Sequence, residues 1–385
     1  MAKKKNKFDK LEVNENYIAP EDQGKTEEFT AVDEKKTETV EVDSTPETPA
    51  EKYHDRRKSK TGSGVFSFKK AKVPEKKEKV KISMPDGIIK AHVLMLCVLV
   101  LGVFGMLVAD SSFYSEFKGL PLYFAYAATY AVIYILPCVI YAFAVKKRPS
   151  QINVKGFEFS QWSFVIVSLV LLLCLTSLIK YYIAYTFAYR TTETLPENMS
   201  VIGAVIVTAL VPAICEEFFV HGVLQSEYTR FGGGLSGITV SAFVFALIHF
   251  DLQYFVIYLA AGLVLGVVTH MTNSVFPAML LHLVNNLAAV FLSDTMTFIA
   301  SERIGGAFVM IVLTIFMFVM LIIQLQMMEK TCRARAVRLS SEEDENAYEK
   351  YMLFLCPEGG TGKRFARLLF SPAVIFAVVL FALVS

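Results

Sequence analysis

Long apolar blocks alternate with short polar connections along this chain, and the alternation limits the folds that it can adopt. A transmembrane helix needs about 20 predominantly apolar residues, and a bilayer accepts only helices or closed barrels. The sequence therefore predicts an all-α polytopic membrane protein with eight or nine transmembrane helices. Nine blocks carry this prediction: 88–109, 120–145, 162–187, 201–224, 235–250, 254–271, 275–292, 307–326 and 368–384.

Charge is confined to the two ends of the chain and to the loops, although 19% of the 385 residues are charged and 54% are hydrophobic. The six cysteines are scattered without a Cys-x-x-Cys pair, so we expect small buried apolar groups, not disulfides or metal ligands. The first residues, Met-Ala-Lys-Lys-Lys, are polar, and we expect no secretory signal peptide.

Four regions follow from this pattern. Residues 1–86 are rich in Lys, Glu, Thr and Pro and are predicted to form a disordered cytoplasmic tail. The bundle is predicted over 87–328, a cytoplasmic polar segment over 329–367, and a possible ninth transmembrane helix over 368–385. The last third of the tail is strongly basic, which is typical of a topology signal or of an arm that binds anionic lipids. We expect no nucleic acid partner.

The loops after the second, fourth, sixth and eighth blocks include the two most basic ones, with Lys146, Lys147, Arg148 and Lys155 in one and the run from Lys330 to Arg338 in another. The intervening loops are nearly free of Lys and Arg. By the positive-inside rule, one orientation fits every loop: a multi-pass protein of the cell membrane with a cytoplasmic N-terminus.

Polar groups interrupt three of the apolar blocks. Glu216 and Glu217 lie in the fourth, His249 in the fifth, and His282 and Asn286 in the seventh. A charged side chain at membrane depth costs roughly 2.5–3.5 kcal/mol on insertion scales, so such a residue is by default a functional-site hypothesis. These groups are predicted to meet inside the helical bundle.

Spacing divides these groups between helix faces. Glu217 and His221 are four residues apart and share a face, whereas Glu216 points about 100° away. Counting residues from the predicted cytoplasmic ends at about 1.5 Å each places Glu216, His249, His282 and Asn286 within roughly 12–20 Å of the cytoplasmic surface. All four are predicted to occupy one layer.

Three motifs, in this order, resemble those of the CAAX-protease and bacteriocin-processing family (CPBP, or Abi), which includes the type II CAAX prenyl endopeptidases. They are Glu216-Glu217-x-x-x-His221, Phe245-x-x-x-His249 and His282-x-x-x-Asn286. Each motif alone has low specificity, whereas three in order at similar depth are fairly specific. The resemblance covers about residues 200–295.

The resemblance implies an intramembrane endopeptidase that cuts a membrane-anchored or secreted peptide near the cytoplasmic face. It implies that Glu216 and His249 activate a water, and that His282 and Asn286 donate hydrogen bonds to the oxyanion. Glu217, His221 and Phe245 are then supporting residues. The family usually has arginine where this chain has His221. Arginine is a permanent cation, whereas histidine titrates near neutrality.

Zinc is the competing mechanism, with Glu216, Glu217, His249 and His282 as nitrogen and oxygen ligands. The chain has no His-Glu-x-x-His pair, and we favour a reaction without metal or other cofactor. Two further functions remain open. One is a non-enzymatic bacteriocin-immunity or partner-binding protein of the same family. The other is a proton-relaying transporter, which would require internally repeated halves that the sequence does not display.

Overall fold

Helices make up nearly all of the regular structure in the computed structural model, which describes residues 84–109, 112–146, 149–187, 200–301, 303–339 and 361–385. No strand occurs in these described ranges. The predicted tail lies almost wholly outside them. The helices are α1 (Asp86–Ala109), α2 (Leu120–Ala144), α3 (Trp162–Phe187), α4 (Val201–Gly232), α5 (Gly234–Leu247), α6 (Phe255–Thr272), α7 (Phe276–Ser301), α8 (Arg303–Leu339), α9 (Thr361–Leu369) and α10 (Pro372–Val384).

Each of the nine predicted blocks is largely helical, which confirms an all-α polytopic membrane fold, although the last block is divided between α9 and α10. Six helices are long and apolar enough to cross a bilayer: α1, α2, α3, α4, α6 and α8. The pair α9 and α10, bent by 45° at its break, would make a seventh span. Because α5 and the apolar part of α7 are shorter, the count of eight or nine spans stays a prediction.

Contacts between the connecting segments define the two ends of the bundle. At one end the loop before α3 meets the loop before α7, where the Val275 N–H donates to the Asn153 carbonyl at 3.0 Å. Arg364, on α9, donates to the Phe231 carbonyl of α4 at this same end. We call it the basic end, because it holds the Lys- and Arg-rich loops. At the opposite end, the Tyr123 and Ser200 hydroxyl groups lie 2.9 Å apart.

The turn between α4 and α5 explains why these two helices pack so closely. Gly233 has a φ of 86°, a left-handed conformation that favours glycine. A Cβ atom at Gly237 would overlap the side chain of Thr229, so only glycine permits this approach. A tight turn is therefore present over 232–234, and α4 continues to Gly232, beyond the predicted end of its block near residue 224.

Two stretches of π-helix interrupt α4, over Val205–Leu210 and Phe218–Leu224. A third lies in α2, over Ala131–Ile135. Each π turn changes the direction of the side chains that follow, and such insertions are frequent at functional sites. The second stretch in α4 begins directly after Glu217, so it determines where His221 points.

The C-terminal helix belongs to the bundle. Phe381 of α10 stacks on Phe250 at a ring-centroid distance of 6.5 Å and meets Phe255 edge-on at 5.5 Å. The five cysteines among the described residues are free, and four of them are buried as expected, whereas Cys97 is exposed. Helix α8 continues to Leu339, so the predicted polar segment begins as helix.

Candidate active site

One cavity of about 430 Å³ brings three of the polar motifs together. Glu216 comes from α4, His249 from the turn after α5, and His282 and Asn286 from α7. All four line the cavity, as the sequence predicts for residues of one layer. Tyrosines from α2 and α6, Lys180 of α3 and several aliphatic side chains complete the wall.

Glu216 faces His249 at the wall of the cavity. The Glu216 Oε2 and His249 Nε2 atoms are 3.6 Å apart, slightly longer than a direct hydrogen bond. Oε2 is buried and has no protein hydrogen-bond partner. The Glu216 side chain is 6% exposed and that of His249 17% exposed, so both reach the cavity.

The hydrogen-bond partner of His249 defines its tautomer. Its Nδ1 lies 2.7 Å from the carbonyl oxygen of Phe245, which can only accept, so Nδ1 carries the hydrogen. In the neutral ring, Nε2 therefore presents a lone pair toward Glu216. The ring stacks on Tyr258 with a centroid distance of 3.7 Å and an interplanar angle of 17°. Stacking and hydrogen bond together hold the imidazole plane.

Glu217, by contrast, is fully buried and lies between two histidines. Its Oε1 is 2.9 Å from His282 Nδ1, and its Oε2 is 3.9 Å from His221 Nε2. A buried carboxylate is stable only when it is paired and hydrogen-bonded. His282 Nδ1 must therefore donate to Glu217, which leaves Nε2 of the same ring for the cavity.

A further residue, Gln225, extends this network and was not among the predicted site residues. Its Nε2 donates to the Gly266 carbonyl at 2.8 Å, and this bond orients the amide so that Oε1 faces His221 Nδ1 at 2.7 Å. His221 Nδ1 must then carry a hydrogen, and Nε2 can donate to Glu217 only when the ring is protonated. The four-residue spacing 217, 221, 225 is the sequence signal that could have identified Gln225.

Phe245 is the hydrophobic centre of the site. Its ring lies 4.9 Å from His249, 5.5 Å from His282 and 5.8 Å from His221, measured between centroids. It is 1% exposed. A single aromatic ring thus separates the three imidazoles and prevents direct contact between them.

Asn286 is oriented by a backbone group of α4. Its Nδ2 donates to the Thr208 carbonyl at 3.3 Å, within the first π-helical stretch of that helix. The amide has a second N–H, and the side chain lines the cavity. Its neighbour Asn285 also lines the cavity, with its Oδ1 2.9 Å from the Thr176 hydroxyl group of α3.

Asp251 follows His249 closely, and the sequence leaves open whether it orients that ring or caps a helix. Its Oδ1 accepts a hydrogen bond from the backbone N–H of Tyr254, at the start of α6. This contact holds the turn that leads into α6, whose N-cap residue is Tyr254. His270 and Asn273 lie at the basic end of α6, where Asn273 ends the helix in a left-handed conformation.

The four proposed zinc ligands do not converge on one point. Glu217 pairs with His282, whereas Glu216 faces His249. In the part of the chain that the structure describes, no group of three His, Cys, Asp or Glu side chains has a geometry that could hold a metal ion. The donor set as arranged does not fit a zinc site.

Comparison with protein families gives one match. Residues 198–288, about a quarter of the chain, match the family described as type II CAAX prenyl endopeptidase Rce1-like. The matched region contains α4 to the middle of α7 and therefore every residue of the predicted site. No curated protein and no solved structure matches the chain.

Proposed function

We propose that the chain is an intramembrane endopeptidase that uses Glu216 to activate a water, because residues 198–288 match the Rce1-like family of CAAX-type membrane proteases. The observation that carries the proposal is the joint placement of Glu216, His249, His282 and Asn286 on one cavity. A general base and two oxyanion donors around one reacting atom are the minimum for peptide hydrolysis without a covalent intermediate.

In the first step, a water donates one hydrogen bond to Glu216 Oε2 and the other to the Nε2 lone pair of His249. As the water oxygen attacks the scissile carbonyl carbon, Glu216 takes a proton from it. The new carbon–oxygen bond gives a tetrahedral intermediate with a negatively charged oxygen. Glu216 then gives the proton to the departing nitrogen as the carbon–nitrogen bond breaks. Glu216 thus acts first as a base and then as an acid, and it recovers its starting protonation state at the end of the cycle.

The oxyanion is stabilised from α7. His282 donates through Nε2 only when it is doubly protonated, and the buried Glu217 carboxylate at 2.9 Å stabilises that charged ring. Asn286 donates through the N–H that Thr208 does not use. Loss of one such donor typically costs about 100- to 1000-fold in rate. Glu217, His221 and Phe245 act by positioning these groups.

The proposed reaction needs no metal or other cofactor. The proposed substrate is a membrane-anchored or secreted peptide, and prenylated CAAX peptides and bacteriocin precursors are candidates. We further propose residence in the cell membrane with a cytoplasmic N-terminus, and attraction of the basic tail to anionic lipids. The sequence predicts cleavage near the cytoplasmic face, and that prediction is taken up again below.

The test uses purified protein in proteoliposomes with a panel of internally quenched peptides, a prenylated CAAX peptide among them. We expect wild type to cleave at least one peptide, His249→Ala to lose about 100-fold or more of that activity, and a strong chelator to change neither. If the chelator abolishes activity and zinc restores it, the same residues act as metal ligands and the proposed mechanism is wrong.

A non-enzymatic immunity or partner-binding role is the second candidate, and the presence of His221 where the family usually has arginine favours it. In that case Glu216 and His249 would be tolerant of substitution, because binding by an outer surface does not depend on them. Phenotype rescue by His249→Ala at wild-type level, together with no cleavage of any peptide by wild type, would establish this alternative.

A further inference from the structure

We propose that the peptide substrate enters the site from the end of the bundle opposite the basic loops. This inference rests on the proposed function, because it concerns the route to the same catalytic groups. It departs from the sequence-based expectation of cleavage near the cytoplasmic face. Three observations support it: the position of the cavity along each helix, the packing beneath the site, and the exposure of the catalytic groups.

The cavity extends from the catalytic layer toward the opposite end. Tyr126 lies six residues after the start of α2, Thr208 seven residues after the start of α4, and Lys180 seven residues before the end of α3. Tyr254 immediately precedes α6. These helix termini lie away from the basic end, so the cavity wall follows the helices in that direction. Along α7 the lining continues past Asn286 to Val290, again toward that end.

Beneath the site, a segment from the basic end packs against α4 and the start of α7. The short helix Pro149–Ile152 and the residues that follow it to 155 form a segment that we call the inner plug. Asn153 of the plug donates to the His221 carbonyl at 3.2 Å and accepts from Val275. Ile152 is 5% exposed, and its carbonyl would lie 3.4 Å from a Cβ atom at Gly222. The plug therefore joins α4 to the start of α7, one residue from the buried network.

The exposed fraction of the side chains at the site also increases away from the basic end. The His221 and Glu217 side chains, nearer the plug, are 0% exposed. The side chain of His249, in the turn at the opposite end of α5, is 17% exposed. Water and substrate thus meet the site on the His249 side.

Combined with the positive-inside orientation, this geometry defines a substrate class. The basic end is predicted to be cytoplasmic, so the cavity extends toward the non-cytoplasmic side. The peptide bond that is cut would belong to a segment that has crossed the membrane, such as the outer flank of a membrane anchor or a translocated peptide. On this route, a peptide bond in a cytoplasmic tail, including that of a prenylated CAAX peptide, would not reach Glu216, and the candidate substrates proposed above narrow to translocated peptides.

Cysteine labelling tests the route independently of catalysis. Ala289→Cys and Val290→Cys place thiols in the cavity, in a background with the six native cysteines replaced. Gly156→Cys reports the basic end, since no atom lies within 4 Å of a Cβ atom there, and Lys118→Cys reports the opposite end. Sealed vesicles of each orientation are treated with a membrane-impermeant sulfonated maleimide.

We expect both cavity thiols to react from the side that labels Lys118→Cys, at least about tenfold faster than from the side that labels Gly156→Cys. Two cavity positions are used so that one poorly folded variant does not decide the outcome. Reaction from the Gly156→Cys side, or from neither side, would overturn the proposal.

A second readout separates this proposal from the proposed function. In right-side-out vesicles that cleave a quenched peptide, the maleimide should block cleavage by the Ala289→Cys protein when it is added on the Lys118→Cys side. If no variant cleaves any peptide, the proposed function fails while the labelling result still stands. If cleavage occurs but is blocked only from the Gly156→Cys side, the route is wrong and the protease assignment survives.

Discussion

Adjacent glutamates on α4 have opposite surroundings. Glu216 reaches the cavity, and its Oε2 has no protein partner. Glu217 is 0% exposed, and its Oε1 lies 2.9 Å from His282 Nδ1, whereas its Oε2 is 3.9 Å from His221 Nε2 and has no hydrogen-bond partner. In the proposed reaction, Glu216 exchanges a proton with the substrate water, and Glu217 positions His282. A one-residue step around the helix separates these two proposed roles.

Glu216→Gln is expected to have the largest effect. Glutamine keeps the shape but cannot accept the proton, so we expect a loss of about 1000-fold or more in kcat, within the range of general-base catalysis. Thermal melting in detergent should be unchanged, because Oε2 of Glu216 has no protein hydrogen bond to lose. If this variant retains more than about a tenth of wild-type activity, Glu216 is not the general base, and the contrast between the two glutamates fails.

Glu217→Gln should reduce kcat by about 100-fold and should also lower stability. The substitution removes the negative charge that stabilises protonated His282, and breaking a buried pair typically costs about 3–5 kcal/mol. Rates and melting curves are measured on the same preparation. If the variant loses activity but not stability, Glu217 takes part in the reaction itself and does not act only by positioning His282.

Gln225→Leu tests the far end of the buried network. Loss of the Gln225 contact leaves His221 without its Nδ1 partner, so we expect about a tenfold decrease in kcat with KM unchanged, because Gln225 does not line the cavity. Ser241→Ala is the matched control, since the Ser241 hydroxyl makes only a 3.3 Å contact to the same oxygen. Equal effects of the two substitutions would remove Gln225 from the positioning network.

Tyr258→Leu tests a positioning contact on the cavity side of the site, the stack of Tyr258 on His249. Aromatic contacts contribute about 0.5–1.5 kcal/mol beyond buried area, so loss of the stack on His249 should cost about three- to tenfold in kcat. Tyr258→Phe keeps the ring and should retain most of the activity. If the phenylalanine variant is as impaired as the leucine variant, the hydroxyl group and not the stack is required.

Asp251→Ala is expected to have the smallest effect on catalysis. The carboxylate bonds the Tyr254 backbone, so we expect a loss of about 1 kcal/mol in stability and less than about a twofold change in cleavage rate. A tenfold loss of rate with unchanged melting would instead make Asp251 an orienting group for His249.

Much of the fold could be predicted because membrane burial imposes a strong signal. Blocks of apolar residues become helices whatever their detailed packing, and the three motifs lie where the spacing places them. The end of α4 was misjudged because Gln225, Ser226 and Glu227 are polar yet buried. Partners from other helices make that burial possible, and such partners cannot be seen in a linear sequence.

The direction of the cavity could not be predicted either. Counting residues places the four site residues in one layer, but it does not reveal which side of that layer is filled. Here the inner plug, a short polar segment around Asn153, fills the basic side. The π-helical stretches of α4 are equally invisible in the sequence, because they depend on how neighbouring helices pack.

Single-turnover cleavage in water enriched in oxygen-18 tests the central claim most directly. If Glu216 activates a water, the new carboxyl group of the peptide product carries one heavy oxygen, and the protein fragment that contains Glu216 carries none. Heavy oxygen in the Glu216 carboxyl group would mean that this residue attacks the peptide itself and forms a covalent intermediate, which would contradict the account.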